Sequence, residues 1–506
     1  MSNTIHRYFQ QNVQAYATCS AIEAGGRAYS YESFAERVDK IHKVLTKAGL
    51  KQKAIIVWND HSVDAYAAIL AINFSGNTIL PLDPAWPGTR VSAVCKLVSP
   101  AAVLYFESSG DLASFHEKQN PQGLPVLNCV SGATITTAPG KESMSADYPG
   151  IAYILFTSGS TGVPKGVPVR QDSLEAFLAY YKTYDFNAAD RFLQVYDITF
   201  DVAYFSFLVP LCVGACCCIL NNVPNVPRNL SILQDLLKRN ITVVSMVPSV
   251  INFSKRYLRK EVAPVLRYSF FSGDALFHSE LIEWQQFVPN ARIHNYYGLT
   301  ETTIVCTGYI WEEKRGAEDA FLDRVPIGKP FPGMQAVIIS ETGDRIANGD
   351  IGELAFHGLQ VFDGYLHLPT PEKFVWISKG EEKVLYYKTG DLVSLNANEQ
   401  LIFHGRSDDQ VKINGYRIEL GEIQLAIQRV TNQKAVVLKK QNTQKIDYLK
   451  AFIEGNSVDE EWLKQVLHEH LPAYMVPTVF VPITEWPLNE NGKIDMLYLK
   501  KMDANV

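Results

Sequence analysis

Short apolar runs alternate with amphipathic stretches through much of the chain before residue 300. Residues 54–58 (Ala-Ile-Ile-Val-Trp), 78–82, 102–105, 153–156, 243–247 and 268–271 read as buried strands, and 64–75 as a helix between the first two. Such alternation predicts helices packed on largely parallel sheets. Ligands of such sheets bind beyond the carboxyl ends of strands, where Thr157, Ser272 and Tyr296 fall. The longest apolar run, Phe205 to Leu220, is broken by Ser206, Pro210 and Gly214, so it reads as a buried helix end and strand rather than a membrane span.

Between residues 336 and 403 the pattern shifts to short strands with Gly-Asp turns, as in a small β-barrel-like subdomain. Beyond Arg406 it shifts again: helix 421–430, strands 435–438 and 448–453 and helix 458–470 form a compact α+β unit. The expected fold is therefore α/β, with a large N-terminal domain (1–405) of stacked sheets, helices and that subdomain, and a small C-terminal domain (406–506). At 506 residues the chain exceeds what one core accommodates. A net charge of −6 argues against nucleic-acid binding, and no secretory leader opens the chain, so the expected location is the cytoplasm. Eight cysteines include three in a row, Cys216-Cys217-Cys218, which lack Cys-x-x-Cys spacing and read as buried free thiols; neither a zinc site nor a disulfide framework is expected.

Candidate chemistry enters with residues 157–166, where Thr157, Ser158, Gly159, Ser160, Thr161 and Gly162 precede Lys165. Small hydroxyl residues and glycines let N–H and O–H donors converge on an anion, and a lysine adds full charge, as in a polyphosphate cradle without Walker order. Read alone, it is a Gly/Ser surface turn. Further along come Asn295-Tyr296-Tyr297-Gly298-Leu299-Thr300-Glu301, Gly352-Glu353-Leu354, Lys388-Thr389-Gly390-Asp391, Gly405-Arg406 with Asp408, Leu471-Pro472-Ala473-Tyr474, and Asn491-Gly492-Lys493-Ile494-Asp495. In this order, from Tyr29 to Lys493, the chain resembles an adenylate-forming enzyme, specifically a stand-alone amino-acid adenylation domain of the nonribosomal-peptide type.

The resemblance implies ATP and Mg²⁺ as cofactors and a reaction in which a carboxylate displaces pyrophosphate from ATP. By the same resemblance Lys165 contacts the β/γ-phosphates, Thr300 the α-phosphate, and Glu301 holds Mg²⁺. Tyr297 stacks on adenine in a pocket lined by Gly273, Asp274, Asn295, Tyr296 and Gly298. Asp391 accepts the ribose hydroxyls beside Arg406. Lys493 bridges the substrate carboxylate and the α-phosphate as the second catalytic lysine. Each has a plainer reading: surface charges for the lysines, a dipole-complementing carboxylate for Glu301, a core ring for Tyr297, a turn for Asp391. Leu299 stands where the family commonly has proline.

Asp201 resembles the aspartate that binds a substrate ammonium, the alternative being a helix cap. The family's spacing lines the acyl pocket with Asp201, Val202, Phe205, Ser245, Phe270, Ser272, Tyr296, Ile304 and Val305. No charged group there faces the side chain, so a small uncharged amino acid, proline or alanine, is favoured, with glycine and serine still open. The expected acceptor is the phosphopantetheine thiol of a separate carrier protein, reached by rotating a mobile C-terminal domain about a hinge at Asp408. The alternatives are a D-alanine–carrier protein ligase, an acyl- or aryl-CoA synthetase, against which Asp201 argues, and a catalytically dead nucleotide-binding scaffold, against which Lys165, Glu301, Asp391 and Lys493 argue.

Overall fold

Two largely parallel sheets arise from the apolar runs, because strands buried on both faces need no alternation. In the computed structural model, Ala54–Trp58 is fully buried and pairs in parallel with Thr78–Leu82 and Ala102–Tyr105 within a seven-stranded sheet that also holds Ile151–Thr157. The helix between the first two strands, Val63–Phe74, is capped by Ser62, whose hydroxyl accepts from the Ala65 N–H. The structure describes residues 4–106, 120, 123–131, 133–135, 145–159, 164–221, 226–258, 262–346, 349–408, 410–413, 415–442, 446–488 and 494–502.

The second large sheet has nine strands. Its parallel centre runs Cys216–Ile219, Arg191–Gln194, Val243–Met246, Tyr268–Phe271 and Arg292–Tyr297, and Thr307–Trp311 pairs antiparallel beyond. The long apolar run divides as its pattern predicts, into helix Val202–Val213 and strand Cys216–Ile219, with Gly214 in the left-handed conformation between them. A five-stranded antiparallel sheet follows, built on Met334–Ile339, Gly352–Gly358, Phe374–Lys379, Glu382–Leu395 and Leu401–Arg406.

By internal contacts the chain divides into two units: 1–84 with 94–156 and 166–408, and 85–93 with 157–165 and 409–506. The second holds the hairpin Gln410–Ile413/Tyr416–Glu419, helix Leu420–Thr431 and the three-stranded sheet Ala435–Gln441, Asp447–Glu454, Val479–Ile483 around its own apolar cluster. Among the described residues no helix is long and apolar enough to cross a membrane. All eight cysteines are free thiols.

Candidate functional site

Successive side chains on a strand point to opposite faces, so register alone sorts the candidate residues of the nine-stranded sheet. The pairs Val243–Tyr268, Ser245–Phe270 and Phe270–His294 put Ser245, Tyr268, Phe270, His294 and Tyr296 on one face. Asn295 and Tyr297 fall on the other.

The first face is aromatic. Phe270 and Tyr296 stack with centroids 5.1 Å apart, and Phe205, from helix Val202–Val213, meets Phe270 edge-on at 5.3 Å. Tyr181 packs 4.7 Å from Phe205, and Tyr184 hydrogen-bonds to both the Tyr296 hydroxyl and His294 Nδ1. These rings pack against one another, and none of those named carries a formal charge. His294 Nε2 is buried without a partner, and burial, reinforced by Arg292, pushes its pKa down to about 3.

Asp201 occupies the position before helix Val202–Val213 with helical backbone angles, and its side chain makes no capping hydrogen bond. Val202 follows it half-buried. Burial raises the pKa of the Tyr153 and Tyr204 phenols, and Asp201's charge adds to that shift. Ser272 is buried at the carboxyl end of Tyr268–Phe271 and donates its N–H to Met246 O. Gly273 next to it has φ +92° and Asp274 accepts from the Ala275 N–H, so this turn needs a glycine.

Ile304 and Val305 lie in a turn that sequence patterning does not anticipate. Thr303 and Ile304 have φ of +56° and +72°, a conformation costing β-branched residues on the order of 1–3 kcal/mol. Gln360 holds it: the buried Nε2 donates to the carbonyls of Thr302, Thr303 and Val305 at 3.3, 3.1 and 2.8 Å, while Thr303 Oγ1 donates to Gln360 O. Gly298 completes the fit, since a Cβ there would lie 2.4 Å from Val305 Cα. Its role in the geometry is close approach of two backbones. A lone glutamine carries no sequence signal.

On the opposite face the chemistry is polar. Asn295 Nδ2 donates to the carbonyls of Val325 and Pro326, which fixes the amide and leaves Oδ1 buried without a partner. That acceptor suits an exocyclic amine such as adenine's. Tyr297 donates its hydroxyl to Asp391 Oδ2 at 2.5 Å, and Arg406 Nη1 pairs with Asp391 Oδ1 at 2.5 Å. Arg406 also pairs with Asp408, at 2.6 Å through Nε. Asp391 is fully buried, and burial beside this carboxylate raises Tyr297's pKa well above the phenol norm. Gly390, at φ +77°, allows the guanidinium past, because a Cβ would meet Arg406 Nη2 at 2.6 Å.

Glu301 sits in the one-turn helix Thr300–Thr302 that follows strand Arg292–Tyr297, fully buried, accepting from the Tyr365 hydroxyl at 2.6 Å. Tyr365 was not foreseen. Mg²⁺ keeps most of its ligands as water and phosphate oxygens, so one buried carboxylate braced by Tyr365 fits such an ion.

In the second unit, Ser158 Oγ donates to Arg417 O and accepts from the Glu419 N–H, and Gly159 donates its N–H to Glu422 Oε2 at 3.1 Å. Lys165 Nζ lies 3.6 Å from Glu419. Glu422 also pairs with Arg90 at 3.1 Å; burial raises its pKa, against the pull of Arg90. Two of the cradle's described donors, the Gly159 N–H and Lys165 Nζ, thus face carboxylate oxygens, acceptors of the same kind as phosphate, while Ser158 Oγ meets a backbone carbonyl. Thr157 ends its strand half-buried. Ser160, Thr161, Gly162 and Lys493 lie outside the described residues.

The AMP-binding enzyme profile matches residues 9–366. Zwittermicin A synthase ZmaJ of Bacillus cereus is 29% identical over 520 residues, covering 100% of this chain and 96% of its own length. Tyrocidine synthase 3 of Brevibacillus parabrevis is 29% identical across 99% of this chain, which spans only 8% of that protein. Other long synthetases are spanned over 11% to 19% of their length. Among solved structures, the Vibrio cholerae adenylation domain AlmE in complex with glycyl-adenosine-5'-phosphate superimposes with a TM-score of 0.84 at 24% identity, over 99% of this chain and 97% of that one.

Proposed function

Because the chain belongs to the AMP-binding enzyme family, we propose that it activates a small uncharged amino acid, proline or alanine foremost, as aminoacyl-AMP, and transfers it to the phosphopantetheine thiol of a separate carrier protein. One observation supports this reading: strand Arg292–Tyr297 presents Tyr296 to an aromatic face and Asn295 and Tyr297 to the opposite, polar one, and the buried Glu301 follows in the turn after it. In this reading the substrate acid and the nucleotide take opposite faces of the strand and meet beyond its carboxyl end.

In the proposed chemistry the substrate carboxylate attacks the α-phosphorus and pyrophosphate leaves. Asn295 Oδ1 would take the adenine amine and Asp391 the ribose hydroxyls, with Arg406 and Tyr297 reorganising around the bound nucleotide. Glu301 would hold Mg²⁺, which neutralises phosphate charge. Lys165 would meet the outer phosphates, and Lys493 would bring carboxylate and α-phosphate together. Asp201 would pair with the substrate ammonium, a cation it needs when the pocket closes over it. Rotation about Asp408 would then exchange Lys493 for the carrier thiol.

The aromatic packing of Phe205, Phe270 and Tyr296 supports a small side chain. ATP–pyrophosphate exchange across the amino acids, with D-alanine included, tests the reading. Exchange with proline or alanine that disappears in Asp201→Ala, with ATP binding retained, is the expected result. Exchange led by D-alanine would select the D-alanine ligase, and formation of acyl-AMP from fatty or aryl acids would reject amino-acid activation. Loading of a carrier added in trans tests the second half-reaction.

A further inference from the structure

The three consecutive thiols at Cys216–Cys218 fail every Cys-x-x-Cys rule, yet strand alternation regroups them. Phe192 pairs with Cys217, while Arg191 and Leu193 pair with Cys216 and Cys218, so Cys217 faces the side that carries Phe270 and the outer two face away from it. Glu23, opposite Cys218 on the neighbouring strand, joins them. The two sulfurs are 3.8 Å apart, and with a Glu23 oxygen they lie within 4.8 Å of one another. Tetrahedral bonds of about 2.3 Å from zinc place two sulfurs about 3.8 Å apart, so the thiols already stand at ligand separation.

We infer that Cys216, Cys218 and Glu23 form a binding site for a thiophilic divalent cation of the zinc class, on the sheet face opposite the aromatic one. Two guanidiniums lie close: Arg191 and Arg239 both hydrogen-bond to Glu23 Oε2, at 2.7 and 3.1 Å. They do not oppose the ion. Binding exchanges one divalent cation for two thiol protons, so the net charge of the cluster is unchanged, and the guanidiniums favour the thiolates that replace the thiols. Hydrogen bonds to a ligating carboxylate are the usual outer support of a metal site. Access runs past Glu23, whose side chain is 21% exposed, whereas Cys218 is fully buried.

The test uses the full chain, stripped with chelator and free of nucleotide and magnesium. After equilibration with micromolar Zn²⁺ and dialysis, one equivalent of zinc should remain, and Co²⁺ should produce a sulfur-to-cobalt charge-transfer band. Cys216→Ser/Cys218→Ser should lose both signals, while Cys217→Ser, one residue away and facing the other side, keeps both. Glu23→Gln should weaken zinc binding by tenfold or more while keeping the sulfur band. No retained zinc and no band in the parent protein overturns the site, a result that depends on no variant folding. Equal loss in Cys217→Ser, or equal retention in the double variant, overturns it as well.

Discussion

Tyr296 and Tyr297 are sequence neighbours of one residue type, both buried, yet they serve opposite kinds of surface. Tyr296 stacks on Phe270 and shares its hydroxyl with Tyr184, within a layer of rings. Tyr297 gives its hydroxyl to Asp391, itself paired with Arg406. Ring packing makes up the first environment, charge and hydrogen bonds the second. One strand can therefore build two chemically unlike surfaces back to back, provided its register holds.

The comparison breaks hardest at Asp391. Asp391→Ala leaves a guanidinium that is 7% exposed and a buried phenol without their shared acceptor. Stripping one partner from a buried pair costs about 3–5 kcal/mol of stability. Thermal unfolding should register that loss, and ATP should no longer saturate pyrophosphate exchange at the parent concentration. An unchanged melting temperature would mean the network is solvent-relaxed, and the contrast between the faces would fail.

Gln360 probes the wall of the aromatic side. Gln360→Leu leaves buried carbonyls without a donor and frees a turn held at positive φ, at a cost of about 2–3 kcal/mol. The KM for the amino acid should rise and larger substrates should gain ground, while the KM for ATP moves far less. Equal shifts in both constants would reduce Gln360 to general scaffolding.

A finer cut separates the tyrosines themselves. Tyr297→Phe deletes a hydrogen bond to a carboxylate and should cost about 2 kcal/mol, whereas Tyr296→Phe deletes one between neutral hydroxyls and should cost about 1 kcal/mol. Chemical denaturation of the two variants measures the difference. The reverse order would show that the aromatic face depends on its polar edge more than on its packing.

What could be read before the fold was known follows the same division. Periodicity reports faces, so the strands at 54–58, 78–82, 102–105 and 268–271 were legible with their bounds. Asp201, Phe270 and Tyr296 carry motif or pattern. Gln360 and Tyr365 do not: each acts through a contact about sixty residues away in sequence, at Val305 and Glu301, and a single polar residue has no period to betray it. The two-residue repeat of a strand also sets Cys216 and Cys218 on one face, a grouping that helical and loop spacing rules for metal ligands do not consider.

The effect expected at His294 depends on acid, and it vanishes at neutral pH. The ring lies in the aromatic layer with Nδ1 on the Tyr184 hydroxyl and Nε2 unpartnered, and burial pushes its pKa down to about 3. An unfolded histidine titrates near 6.5. Above that value both states are neutral and His294 contributes no slope. As the pH falls below it, the unfolded chain takes up a proton the folded chain refuses, and stability drops by about 1.4 kcal/mol per pH unit until the folded pKa is reached. Moving from pH 7.5 to pH 5 should therefore cost about 2 kcal/mol through this residue alone. His294→Phe, which keeps a ring in the layer, should lack that increment, so the gap between parent and variant in unfolding free energy should change by about 2 kcal/mol over the interval. A gap that stays constant with pH would mean the folded protein protonates His294 as readily as the unfolded one, and the aromatic face would then hold a charge after all.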